Sequence, residues 1–168
     1  MKTTTRGTVF FLMVMALVFM LPAGNASAQE KKATLAQAKE FNKKLVAYAG
    51  EAGCEKSFAE INNVKSIWNT TYANAFSAAG DWKGTTLAHG RVPVMTGTNT
   101  MAVKDADGKT FIKECIEKCQ KSGYAEVGYR WFNPKLKKAE ARTLIATVVD
   151  CGSKFGKVDM ITFYEGTQ

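Results

Sequence analysis

The chain is poor in the residues that usually carry chemistry. Among 168 residues it has one histidine, three prolines and four cysteines. A single histidine, His89, does not make an imidazole metal centre, and no acid or nucleophile stands at a spacing that would orient it for general-base or nucleophilic work. Neither a nucleophile motif nor a paired-carboxylate spacing is present, so the chain reads as a non-enzyme with no catalytic residues. No Cys-x-x-Cys-His occurs, which excludes covalent haem as far as the motif goes, and no cofactor is expected. Internal repeats and low-complexity linkers are also missing, and one domain is the default.

What is present begins with a leader. Lys2 and Arg6 precede an unbroken apolar run from Val9 to Leu21, Pro22 and Gly24 end it, and Ala26, Ser27 and Ala28 supply the small residues a signal peptidase needs. A membrane anchor is the weaker alternative, because thirteen apolar residues rise about 20 Å as a helix against roughly 30 Å of hydrocarbon. Residues 1–28 are therefore expected to be a cleaved signal peptide and residues 29–168 a single exported domain, periplasmic or otherwise secreted. A domain of that size buries about two-thirds of its unfolded surface and needs no metal to hold it together. The net charge of +8 falls by two when Lys2 and Arg6 leave with the leader. The remaining lysines are scattered, which describes a solvated basic surface, and no nucleic-acid partner is expected.

Four cysteines (Cys54, Cys115, Cys119, Cys151) in an oxidising compartment allow three pairings, and two disulfides are the favoured state. Cys115 and Cys119 share one face of an expected helix, from which each can reach a different partner, Cys54 or Cys151. The rival, a metal site, is weak, because Cys-x-x-x-Cys without a second close pair is a poor zinc signature. No metal is expected.

Periodicity orders the elements. Leu35, Ala38, Phe41, Leu45, Tyr48 or Ala49, and Ala52 mark a helix opened by a Thr34/Gln37 capping box and ended by Gly53, and Ser57 with Glu60 repeats the box ahead of a short second helix. Threonine- and aromatic-rich stretches suggest strands at 70–77 and 84–89, followed by a long loop through "RVPVMTGTN". Phe111, Ile112, Cys115, Ile116 and Cys119 form a helical stripe closed by Gly123, and strands follow at 124–132, 138–149 and 157–165. "DADG" at Asp105–Gly108 lacks the spacing of a calcium loop and reads as a turn capping the next helix. The sum is an α+β domain, with a long N-terminal helix packed on a five-stranded, mainly antiparallel sheet. Helices are expected over one face and the long loop over the other.

The segments "AGCEKSFAEINN", "TYANAF", "GTTLAHG", "KDADGKTFIKE", "GYAEVGYRWFNP" and "MITFYEG" resemble, in order and spacing, the single-Cache (Cache type 2) family of extracytoplasmic sensory domains. The likeness covers nearly all of the expected mature chain. It implies a PAS-like fold with a small-molecule pocket on the sheet face, roofed by loops, and sensing of small ligands, often carboxylates, for membrane receptors or kinases. The chain departs from that pattern in lacking a C-terminal membrane helix or output module, in having Gly90 where the family usually places proline after the histidine, and in its four cysteines.

Alternation along "GYAEVGYRWFNP" turns Val127, Tyr129 and Trp131 one way and Glu126, Gly128 and Arg130 the other. The aromatic face fits a core or a pocket, and the resemblance points to a pocket. A carboxylate brought into such a cavity needs its charge and hydrogen bonds replaced by Arg91, Arg130 or Arg142, of which Arg130 should face away. The candidate ligand-binding set is Tyr72, His89, Arg91, Tyr129 and Trp131. The functional expectation is a Cache-like domain that binds a small organic ligand, a carboxylate above all, and signals through a membrane-bound receptor or kinase. The alternative is an extracytoplasmic protein–protein interaction module with a vestigial pocket.

Overall fold

The computed structural model describes residues 31–166. The leader expected at 1–28 lies outside the described residues, and among those described no helix is long and apolar enough to cross a membrane. Three helices come first, α1 (Leu35–Ala52), α2 (Cys54–Asn62) and α3 (Ile67–Thr70). They lead into β1 (Ala75–Asp81) and β2 (Thr86–His89), a long loop with a 3-10 turn at Pro93–Met95, and α4 (Phe111–Ser122). The chain then runs through β3 (Tyr124–Asn133), β4 (Lys138–Asp150), the single-turn α5 (Gly152–Phe155) and β5 (Lys157–Tyr164). The strands form one sheet in the order β2-β1-β5-β4-β3, and every pairing is antiparallel.

α1 starts at the expected capping box, in which Thr34 Oγ1 accepts from Gln37 N and Gln37 Oε1 accepts from Thr34 N. Its stripe of Ala38, Phe41, Leu45 and Ala49 is buried on the sheet. Within that stripe lies a polar residue, Asn42, 1% exposed. Its Nδ2 donates to Met160 O at 2.9 Å and its Oδ1 accepts from Thr147 Oγ1 at 2.8 Å, so α1 is pinned to β4 and β5 in one register.

Two local expectations change. Ser57 does not cap α2: the helix begins at Cys54, and the Ser57 hydroxyl donates to Gly53 O one turn back. The first strand starts at Ala75 rather than near 70, because Ser66 opens the short α3, which sets Trp68 against Phe41 and Tyr48 at 5.5 and 5.3 Å between ring centres. Trp68 and Tyr72 therefore serve the helix layer.

Period-two alternation divides the sheet into two apolar layers. Val158 and Met160 join Phe41, Leu45, Phe58, Ile61 and Trp68 under α1 and α2. Ala78, Val127, Tyr129, Leu144, Ile161 and Phe163 point the other way, toward Phe111, Cys115 and Cys119 of α4. The second face is thus shared between α4 and the 90–110 loop rather than left to the loop alone.

This layering corrects the expected disulfides. Cys54 of α2 and Cys151 before α5 are bonded to each other within the first layer, while Cys115 and Cys119 are free thiols buried in the second. The sheet stands between the two pairs, so neither α4 cysteine reaches Cys54 or Cys151.

Candidate functional site

Between the sheet, α4 and the long loop lies a cavity of about 260 Å³, the size of a small organic molecule and below the usual range for drug-sized ligands. Its floor includes Phe76, Ala78, Ile161 and Phe163, with Phe111 of α4 as a wall and Val92, Met95 and Val103 of the loop above.

The roof is held by polar stitching. Thr86 N donates to Thr98 O and Gly97 N to Thr86 O, so the loop runs beside β2 much as a further strand would. At its far end the Asp105 carboxylate accepts from the backbone N–H of Asp107, Lys109 and Arg130, all at 2.9 Å. Asp105 therefore fastens the loop to β3. The expected cap on α4 is not made, since Thr110 holds the N-cap position. Desolvation is the largest single effect and raises its pKa, but the three donors, helped by the Lys109 charge, outweigh it and the net shift is downward.

Four of the five candidate residues line the cavity, and Tyr72 does not. Tyr72 lies in the connector before β1, edge-on to Phe41 at 5.6 Å and under the Lys31 ammonium, because the strand that was to present it starts three residues later. Tyr129 stacks on Phe111 at 4.4 Å with the rings 8° apart, and burial pushes its phenol pKa well above the usual value despite the neighbouring Arg142 charge. Trp131, 39% exposed, stands edge-on to Phe111 at the rim.

His89 ends β2 with its ring 5.2 Å from Phe76. Its Nδ1 accepts the backbone N–H of Val92 at 3.0 Å and of Arg91 at 3.3 Å, so the neutral ring carries its proton on Nε2. Burial lowers its pKa below 6.5, and the Arg91 charge adds to the effect. The residue after it cannot be proline: Gly90 N donates to Ser77 O, and any Cβ there would run into the Asn69 side-chain amide.

The charged end of the cavity belongs to Arg91, Arg142 and Glu165. Arg91 Nη1 and Arg142 Nη1 each lie 2.6 Å from the same oxygen, Glu165 Oε1. Arg91 also lies over the Phe76 ring at 4.3 Å and donates to Ala73 O. Among the described residues the buried Nε of Arg142 has no partner. Arg130 faces away, toward Asp107. Sequence reasoning weighed Arg142 without selecting it and missed Glu165; the available signal was a charge recurring on the apolar face of β4, two residues before Leu144, and just past the end of β5.

An α+β sheet carrying a loop-roofed cavity with paired arginines is the architecture of a small-molecule sensor domain. The family model for single Cache domain 2 matches residues 12–150, and the chain belongs to that family. Among solved structures, a periplasmic sensor domain of a chemotaxis protein is similar over 77% of this chain and 88% of its own, at 15% identity and a TM-score of 0.52. A Cache chemosensory domain described for carboxylic acid recognition is similar over 77% and 86%, at 18% identity and a TM-score of 0.51. A methyl-accepting chemotaxis protein of Vibrio parahaemolyticus covers 77% and 82%, at 18% identity and a TM-score of 0.47. No curated protein matches the chain. The domains of this family are ligand-binding sensors rather than catalysts.

Proposed function

We propose that this chain is an exported sensory domain that takes a small carboxylate between its sheet and its 90–110 loop and reports occupancy to a membrane-bound partner. One observation carries the ligand class: two guanidiniums converge on a single carboxylate oxygen at the edge of an apolar cavity. Glu165 occupies the place an incoming carboxylate would take, and the free Arg142 Nε offers one more N–H than Glu165 uses. At that end of the cavity two arginines against one glutamate leave a net positive charge for an anion to neutralise, while Asp81 and Asp159 line the cavity elsewhere. The Tyr129 hydroxyl and the His89 Nε2–H are further neutral donors on the cavity wall. A similar fold that recognises carboxylic acids supports the same class.

The cavity volume favours this reading over a protein-docking module with a vestigial pocket, in which bulky side chains would fill the space. The test is a melting-temperature screen against short mono- and dicarboxylic acids, with amines and neutral sugars as controls. A ligand bound at 100 times its Kd stabilises by about 2.7 kcal/mol, a shift of several degrees for a domain of this size. The shift should appear for an acid and shrink to about a third of its size in Arg142→Met. Flat curves across the acids overturn the proposal.

A further inference from the structure

Asp159 takes no part in the anion cradle. It lies on the same face of β5 as Glu165 but six positions earlier, roughly 20 Å along the strand. It is 1% exposed. Its Oδ1 accepts from the Trp82 indole N–H at 3.1 Å, the Cys119 thiol is its other hydrogen-bonding neighbour, and the Asp81 carboxylate lies close enough to raise its pKa as well. Such a position is costly for an acid, since a buried carboxyl loses its water and gains only two donors here. Burial pushes its pKa up to about 6.

The surroundings supply a reason for keeping it. Cys115 and Cys119 stand one turn apart on the inner face of α4, 1% and 2% exposed, and neither is disulfide-bonded. The two sulfurs and a carboxylate oxygen of Asp159 lie within 4.8 Å of one another. Donors around a tetrahedral zinc, with bonds of about 2.0–2.3 Å, are about 3.5–3.8 Å apart. Small side-chain rotations would close the difference. Trp82, by donating to one oxygen, orients the carboxyl and leaves the other oxygen free, as the outer partners of metal ligands do. Cys115 and Asp159 also line the cavity, so a fourth position would face it.

We propose that Cys115, Cys119 and Asp159 form a three-donor site for a thiophilic divalent cation of the zinc class, with its open position turned toward the cavity. Binding converts both thiols to thiolates and releases their protons to solvent, and the dication then balances most of the three negative charges. The helical pair, a weak signature in sequence, gains its third donor from a strand 40 residues away. The site is independent of the carboxylate proposal, because it needs no organic acid and uses none of Arg91, Arg142 or Glu165.

The experiment uses cobalt(II) alone, added to the purified protein under anaerobic conditions with the Cys54–Cys151 bond intact. The expected result is one equivalent bound, with thiolate-to-cobalt charge-transfer absorption and tetrahedral visible bands, both displaced by zinc. Cys115→Ser and Cys119→Ser should each weaken binding at least ten-fold. Trp82→Phe, outside the core, should weaken it about ten-fold while leaving the bands in place. Should the cysteine variants fail to fold, zinc must protect both thiols of the unaltered protein from alkylation. Absence of the charge-transfer band, its survival without Cys115, a Cys115–Cys119 disulfide in the purified protein, or alkylation that zinc does not slow overturns the proposal.

Discussion

The two faces of the sheet are built from alternate residues of the same strands, yet they do opposite things. Under α1 and α2 the layer is solid: Leu45, Ile61, Val158 and Met160 are all fully buried, Asn42 pins the helix, and a disulfide ties α2 to the β4–β5 connection. On the other face, α4 covers only part of the sheet, and the remainder is roofed by a loop resting on hydrogen bonds. Every charged or thiol group that carries a functional argument is on this second face. In β5, Met160 and Ile161 are neighbours in sequence, one in the sealed layer and one on the cavity floor. The lesson is that rigidity and recognition are separated by a single residue of register, so substitutions on the two sides should give effects of different kinds.

The largest expected effect tests the sealed side. Leu45→Ala should cost about 3 kcal/mol of unfolding free energy, measured by denaturant titration, with the carboxylate Kd unchanged. A large change in affinity would show that the faces are coupled. Next, Arg142→Met should weaken carboxylate binding by about 2 kcal/mol, roughly thirty-fold by calorimetry, through loss of a charged hydrogen-bond donor. Glu165→Gln should act in the opposite direction, tightening binding roughly five-fold, or about 1 kcal/mol, because the internal competitor for the two guanidiniums loses its charge. Weaker binding in that variant would show that Glu165 positions the arginines instead of standing in for the ligand.

The smallest effect concerns pH. His89 has a folded pKa below 6.5, so on acidification the unfolded chain takes up a proton before the folded one. Its contribution to stability is full above about pH 6.5 and is lost as pH falls toward the folded value. Melting temperatures of the unaltered protein and of His89→Gln should diverge above that point and converge below it. Parallel profiles would show that the ring titrates freely.

Much of this architecture is legible from periodicity. The α1 stripe, the α4 stripe ending at Gly123 and the three C-terminal strands all follow from local spacing, and the alternation of Val127, Tyr129 and Trp131 assigns them to one face correctly. What fails depends on long-range packing. Tyr72 lies in a stretch with strand composition, but Trp68 is drawn into the helix layer and the chain forms α3 first. Cys115 and Cys119 look like disulfide partners for distant cysteines until the sheet is placed between them. Arg142 and Glu165 meet only because β4 and β5 pair with Thr143 opposite Tyr164, a register that one strand alone does not disclose.

The position of β5 has a consequence for how the molecule assembles. β1 with β2 forms one hairpin and β3 with β4 another, and among the described residues β5 is the only strand that touches both. Each hairpin can zip locally and early, but they become one sheet only when a strand distant from β1 in the chain slots between them. Closure of the β1–β5 seam is expected to limit the folding rate, and amide protons on the facing edges of β1 and β5 should be the last to gain protection from exchange.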